Sequence, residues 1–186
     1  MRIISGNFRG KKIFFPDGKN TRPLRDMVKE SIFNLIENSN KFKLQISKSN
    51  ILDLFSGSGS FGLECLSRGA KNVIFFENYF PTLKILKKNI ENLKFLKVCQ
   101  IFEEDCFHFF KSNKKILNKF NIIFIDPPYK ERNINQLINQ ILEKKILNKY
   151  GIIIIHRHKR DDLEITPKLN ILDTRLYGIS KIIIGN

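Results

Sequence analysis

From residue 50 onward the chain alternates short apolar runs with amphipathic stretches, and this alternation restricts the fold more than any other feature. Residues 51–55, 72–76, 97–102, 121–125 and 151–155 read as buried strands. Helical patterns lie between them at 60–67, 81–93, 107–111 and 134–146. Strands and helices in this order imply a mostly parallel sheet with helices on both faces. The tail, 169–184, reads as two further strands around Tyr177-Gly178. The expected fold is therefore α/β and Rossmann-like, with a seven-stranded sheet carrying an antiparallel edge strand.

The first 49 residues do not follow this rhythm. Residues 1–15 read as a β-hairpin turning at Arg9-Gly10-Lys11. A helix is expected from Asp26, as its N-cap, to Glu37, with Val28, Ile32, Phe33, Leu35 and Ile36 on its apolar face. Residues 38–49 are polar and read as a connection. The expected division is an appendage at 1–49 and a main domain at 50–186.

A length of 186 residues suits one such domain, and 42% hydrophobic residues can fill its core. No apolar run is long enough to span a bilayer and the N-terminus has no leader pattern, so a cytoplasmic protein without a membrane partner is expected. Cys65, Cys99 and Cys106 are widely spaced, which supports neither a disulfide framework nor a metal site. The net charge of +15 favours a polyanionic partner. Abundant Lys, Asn, Ile and Phe also fit an AT-rich genome, so the placement of cations carries more weight than their total. Arg9, Lys11 and Lys12 surround one turn, and Arg22 and Arg25 flank Pro23-Leu24. These five are the candidate nucleic-acid contacts.

Asp53-Leu54-Phe55-Ser56-Gly57-Ser58-Gly59-Ser60-Phe61-Gly62 joins the first strand of the sheet to its first helix. It contains a G-x-G-x-x-G, and Glu77 stands at the end of the next strand, twenty positions beyond Gly57. A dinucleotide would place its pyrophosphate on such a loop. Asp53 opposes this, because its carboxylate would face two phosphate charges. S-adenosylmethionine suits the loop better, since its ammonium and sulfonium are positive. Asp53, Phe55, Gly57, Gly59, Glu77 and Asn78 are candidate cofactor contacts, with Glu77 accepting from both ribose hydroxyls. Asp105 could accept from the adenine amine, with Cys106 or Phe107 against the ring, although Asp105 could equally be a helix N-cap.

The strand at 121–125 ends in Asp126-Pro127-Pro128-Tyr129. Two prolines lack backbone N–H groups and cannot continue a sheet, so they make a rigid exit with unpaired carbonyls. If this strand neighbours the first, Asp126 faces the methyl donor. The Asp126 carboxylate and Pro127 carbonyl could then each accept one N–H of an exocyclic amine, with Tyr129 stacked on the base.

Several segments together resemble the bacterial RsmD-type family of 16S ribosomal RNA guanine-N2 methyltransferases. They are Met1 to Gly6 with Arg9-Gly10-Lys11, Thr21-Arg22-Pro23, Glu30 to Asn34, Asp53 to Gly59, Gly62-Leu63-Glu64, Leu66 to Ala70, Asp126 to Tyr129 and Tyr177-Gly178. The resemblance implies a class I S-adenosylmethionine-dependent methyltransferase acting on one guanine of 16S rRNA, within an assembling 30S particle, as a monomer. It also implies that the N-terminal segment holds RNA. Two positions depart from the family pattern: Leu24 stands where a small hydroxyl residue is expected, and His156 where an acid is common. His156 and His158 read as surface residues of a basic loop with no catalytic part, and His108 as a packed helix residue. The competing readings are an adenine-N6 methyltransferase, a nicotinamide dehydrogenase and a non-enzymatic RNA-binding protein.

Overall fold

The computed structural model describes residues 1–16 and 24–186. Its strands are β1 (Asn50–Leu54), β2 (Asn72–Phe76), β3 (Cys99–Phe102), β4 (Phe120–Ile125), β5 (Leu147–His158), β6 (Ile171–Tyr177) and β7 (Ser180–Gly185). Its helices are α1 (Asp26–Asn38), α2 (Ser60–Ser67), α3 (Phe80–Asn92), α4 (Cys106–Lys111) and α5 (Ile134–Glu143). The strands form one sheet in the order β3-β2-β1-β4-β5-β7-β6. β1 to β5 are mutually parallel, and β7 is antiparallel to both its neighbours. The antiparallel strand thus lies one place in from the edge, which β6 occupies.

Alternation along each strand divides the core in two. Ile51, Phe75, Ile122, Phe124, Ile152 and Ile184 face a cluster with α1, α2 and α3. Leu52, Phe76, Ile123, Ile125, Ile153 and Ile183 face the cluster with α4 and α5. The chain moves outward from β1 through β2 to β3, then returns to β4 on the other side of β1. That reversal opens a crevice at the carboxyl ends of β1 and β4, where doubly wound sheets bind ligands.

The N-terminal segment forms the expected hairpin in a shorter form, around an antiparallel bridge between Arg2 and Lys12. The Ile3 and Ile13 amides donate to the Lys11 and Met1 carbonyls, and that of Gly10 to Ile3. The amides of Ile4 and Ser5 donate instead to the Glu64 carboxylate, at 2.7 and 2.9 Å. Those of Asn7 and Phe8 donate to the carbonyl and hydroxyl of Ser67. A side chain and the C-terminal end of α2 thus anchor the loop between the two paired stretches. Arg25, not Asp26, is the N-cap residue of α1, and no side chain caps it. Asp26 occupies the first helical turn, 3.5 Å from the Arg2 guanidinium. The segment expected to be a polar connection buries Phe42 and Ile46.

Candidate active site

Asp53 ends up buried because β1 runs through the middle of the sheet. Its Oδ2 accepts a hydrogen bond from the Gly62 N–H at 2.9 Å, which ties the strand to α2 across the glycine loop. Burial pushes the Asp53 carboxyl well above the usual carboxylate range; the Gly62 bond opposes this, and the nearby Asp126 and Glu77 charges add to it. Gly59 adopts φ of +82° as the N-cap residue of α2. It packs over Leu63 and Leu86, and does not line the cavity described below.

Glu77 joins two loops. Its Oε2 accepts from the Gly57 N–H and its Oε1 from the Tyr79 N–H, both at 2.8 Å. Two further amides of the glycine loop are engaged as well: Ser56 donates to the Phe76 carbonyl and Gly59 to the Ser56 carbonyl. With the Ser56, Gly57, Gly59 and Gly62 amides so occupied, the loop does not offer the row of N–H groups that cradles a pyrophosphate. Acidic side chains face the crevice instead, which suits a cationic ligand better than a dinucleotide.

Asp126 follows the last residue of β4, beside the end of β1, and its N–H reaches the Leu54 carbonyl at 3.5 Å. Both motifs found in the sequence therefore meet at one edge. Between them lies a cavity of about 470 Å³. Asp53, Phe55, Gly57, Glu77, Asn78, Asp105, Cys106, Asp126, Pro127 and Tyr129 line it, so every site residue expected at this edge except Gly59 reaches the same space. Asp105 serves two ends. Its Oδ1 caps α4 by accepting from the His108 N–H at 3.0 Å, and its Oδ2 accepts from the Asn78 amide at 3.3 Å. Burial raises the Cys106 thiol, which favours its neutral form.

Three wall residues have no local motif to announce them. Met1, Phe15 and Leu24 come from the N-terminal segment and close the side of the cavity next to α2. Phe61 and Phe124 also line the cavity, and Phe33, Phe61 and Phe124 stack, with ring centroids 5.1 and 3.9 Å apart, joining α1 to α2 and β4. Leu24 is buried. An apolar residue is what this wall requires.

β5 carries the largest revision. His156 and Arg157 are not surface residues of a basic loop; both are buried. His156 Nδ1 lies 2.9 Å from Asp126 Oδ1, and its Nε2 lies 2.8 Å from Ser180 Oγ. Arg157 donates to the carbonyls of Tyr129 and Glu131 at 3.1 and 3.0 Å and pairs with Asp161. Adjacent residues of β5 thus hold the Asp-Pro-Pro-Tyr turn, one by its carboxylate and one by its backbone. His158 stands edge-on to the Tyr129 ring, with centroids 5.0 Å apart. His108 is exposed, while Phe109 and Phe110 beside it are buried.

The expected RNA contacts lie in different places. Arg9, Lys11, Lys12 and Arg25 are exposed, and Arg22 lies outside the described residues. Phe8 binds Ser67 at the C-terminal end of α2, so the Arg9 turn sits about 10 Å along that helix from the glycine loop, at 1.5 Å per residue. Arg25 directly follows the cavity residue Leu24.

The family model described as Conserved hypothetical protein 95 matches residues 1–186 of this chain. Ribosomal RNA small subunit methyltransferase D of Haemophilus influenzae is 34% identical over 180 residues, covering 96% of this chain and 90% of the relative. The chain belongs to the RsmD-type methyltransferase family. The protein of the same name from Buchnera aphidicola is 35% identical over 89% of this chain and 82% of its own length. Among solved structures, the Escherichia coli yhhF protein, provisionally described as a methyltransferase, superposes with a TM-score of 0.82 at 25% identity, covering 100% of this chain and 96% of the other. The RsmD-type relationship therefore takes in the N-terminal segment as well as the sheet.

Proposed function

We propose that this enzyme transfers a methyl group from S-adenosylmethionine to the exocyclic N2 amine of a guanine in 16S ribosomal RNA. The carrying observation is that Asp126, Pro127 and Tyr129 border the same cavity as the glycine loop and Glu77. The residues present fit this cofactor: the Ser56, Gly57, Gly59 and Gly62 amides are engaged, and Asp53, Glu77 and Asp126 are all acidic. When bound, S-adenosylmethionine supplies an electrophilic methyl group.

The chain's own residues then position the acceptor. Asp126 and the Pro127 carbonyl accept the two N–H bonds of the amine, drawing its lone pair out of conjugation and toward the methyl group. Tyr129 fixes the plane of the base. The rate gain is one of orientation and charge placement. Arg25 and the turn at Arg9, Lys11 and Lys12, together with Arg22, hold the RNA, so residues 1–49 act as the substrate-holding part and 50–186 as the methyl-transfer part. In this reading the enzyme acts as a monomer, in the cytoplasm, on an assembling 30S particle.

Incubating the protein with labelled S-adenosylmethionine and either naked 16S RNA or 30S particles, then mapping the label, tests this reading. Label on a guanine N2 is expected, whereas label on an adenine N6 would replace the substrate assignment. Asp126→Ala is expected to abolish transfer while S-adenosylmethionine still binds in calorimetry, and retained transfer would remove Asp126 from its role.

A further inference from the structure

β5 pairs with β4 up to Ile155 opposite Ile125, so the next residues, His156 and Asp126, emerge side by side past the end of that ladder. On its other side β5 pairs with β7, which brings Ser180 opposite His158 and close to the His156 ring. The His156 side chain is 3% exposed and that of Asp126 is 13% exposed. An ionised carboxylate can only accept, so the contact from His156 Nδ1 to Asp126 requires the proton on Nδ1. In the neutral ring Nε2 is then an acceptor, and the Ser180 hydroxyl, buried and 2.8 Å away, supplies its donor.

We propose that His156 is the positioning residue for Asp126: Ser180 holds its ring in the Nδ1-protonated form, and Nδ1–H fixes the carboxylate that receives the substrate amine. This rests on the role given to Asp126 under the proposed function. An Asp side chain has a broad, two-fold χ2 well and does not orient itself. Anchoring one oxygen on a ring that is packed and hydrogen-bonded at its far end removes that freedom before substrate arrives. His156 takes no proton from substrate in this scheme, because the nitrogen facing Asp126 already carries one.

Two amides separate this role from simple packing. In His156→Asn the side-chain nitrogen stands near the Nδ1 position and keeps a donor toward Asp126. In His156→Gln the amide reaches toward Ser180 and leaves Asp126 without that donor. The expected result is a kcat about 10- to 100-fold lower in His156→Gln and His156→Phe, the loss of one charge-assisted hydrogen bond. KM for RNA and Kd for S-adenosylmethionine should stay within about twofold of wild type, and His156→Asn should recover most of kcat. Equal kcat in the Asn and Gln variants, or losses confined to KM, would overturn the proposal.

A second readout does not depend on activity. Nitrogen-15 NMR of the three histidines should show one Nδ1-protonated ring whose slowly exchanging proton disappears in Asp126→Ala. Should the wild type transfer no methyl group to RNA, the proposed function falls while the spectrum still decides the pairing. A spectrum without that proton overturns the pairing whatever the activity.

Discussion

Two carboxylates on neighbouring strands have opposite surroundings, and this sets what each can do. Asp126 lies past the end of β4 with His156 against it. Asp53 lies one residue inside the end of β1, wholly buried, and its carboxyl is pushed well above the usual range by that burial. In the free folded protein Asp53 therefore keeps its proton in a window above the pH at which an exposed Asp loses it. The unfolded chain has released that proton in this window, so folding stability falls as pH rises through it. A cationic ligand favours the ionised form, so its binding expels the proton and tightens as pH rises through the same window. Calorimetry of S-adenosylmethionine in buffers of different ionisation enthalpy should show net proton release for wild type. In Asp53→Asn the release and the pH dependence should both vanish.

At the scale of elements, the glycines of one loop do different work. A Cβ on Gly62 would come within 2.4 Å of Phe75 Cε1 and 2.8 Å of Val73 Cγ1, both side chains locked in the core beneath α2. Gly57 has nothing within 4 Å of its would-be Cβ, and has a φ of +56°. Gly62→Ala is therefore expected to cost about 1–3 kcal/mol of stability by overpacking, measured by urea unfolding. Gly57→Ala should cost only the left-handed backbone penalty, about 1 kcal/mol, and should show its main effect in S-adenosylmethionine affinity, because Gly57 lines the cavity.

The elements themselves were mostly legible. β1, β2 and α2 follow from apolar runs bounded by glycine and polar residues, and the local pattern is sufficient there. β5 was read too short, as 151–155, because His156, Arg157 and His158 look like surface residues; they continue the strand only because β7 pairs with them on one side. The N-terminal hairpin follows from its turn, but it pairs only over residues 1–3 and 10–13, and its loop is held by Glu64 and Ser67, fifty-nine or more positions away.

Across the whole molecule, Glu64 joins the N-terminal segment to α1 and α2. It is buried, accepts from Ile4, Ser5 and Arg68, and stands 3.6 Å from the equally buried Lys29 ammonium. Burial lowers the Lys29 pKa and the Glu64 charge partly offsets this. Lys29 in turn donates to the Arg2 carbonyl at 2.7 Å and to Ser60 at the start of α2. Removing one partner of such a pair strands the other charge, so Glu64→Ala should destabilise the protein by about 3–5 kcal/mol. Hydrogen exchange should show the Ile4 and Ser5 amides losing protection. The cavity should change as well, since Met1, Phe15 and Leu24 form one of its walls.

The parallel sheet, the glycine loop with its acids, and the Asp-Pro-Pro-Tyr turn are all legible in the amino-acid order alone. Each of these is encoded within a few consecutive residues, through strand periodicity, glycine's backbone range and proline's missing donor. What supports them comes from the folded arrangement. His156 meets Asp126 across thirty positions, and the N-terminal wall meets the glycine loop across several tens. Such contacts depend on which strands become neighbours and which buried polar groups must find partners, and a pairing made between distant segments leaves no pattern in either segment alone.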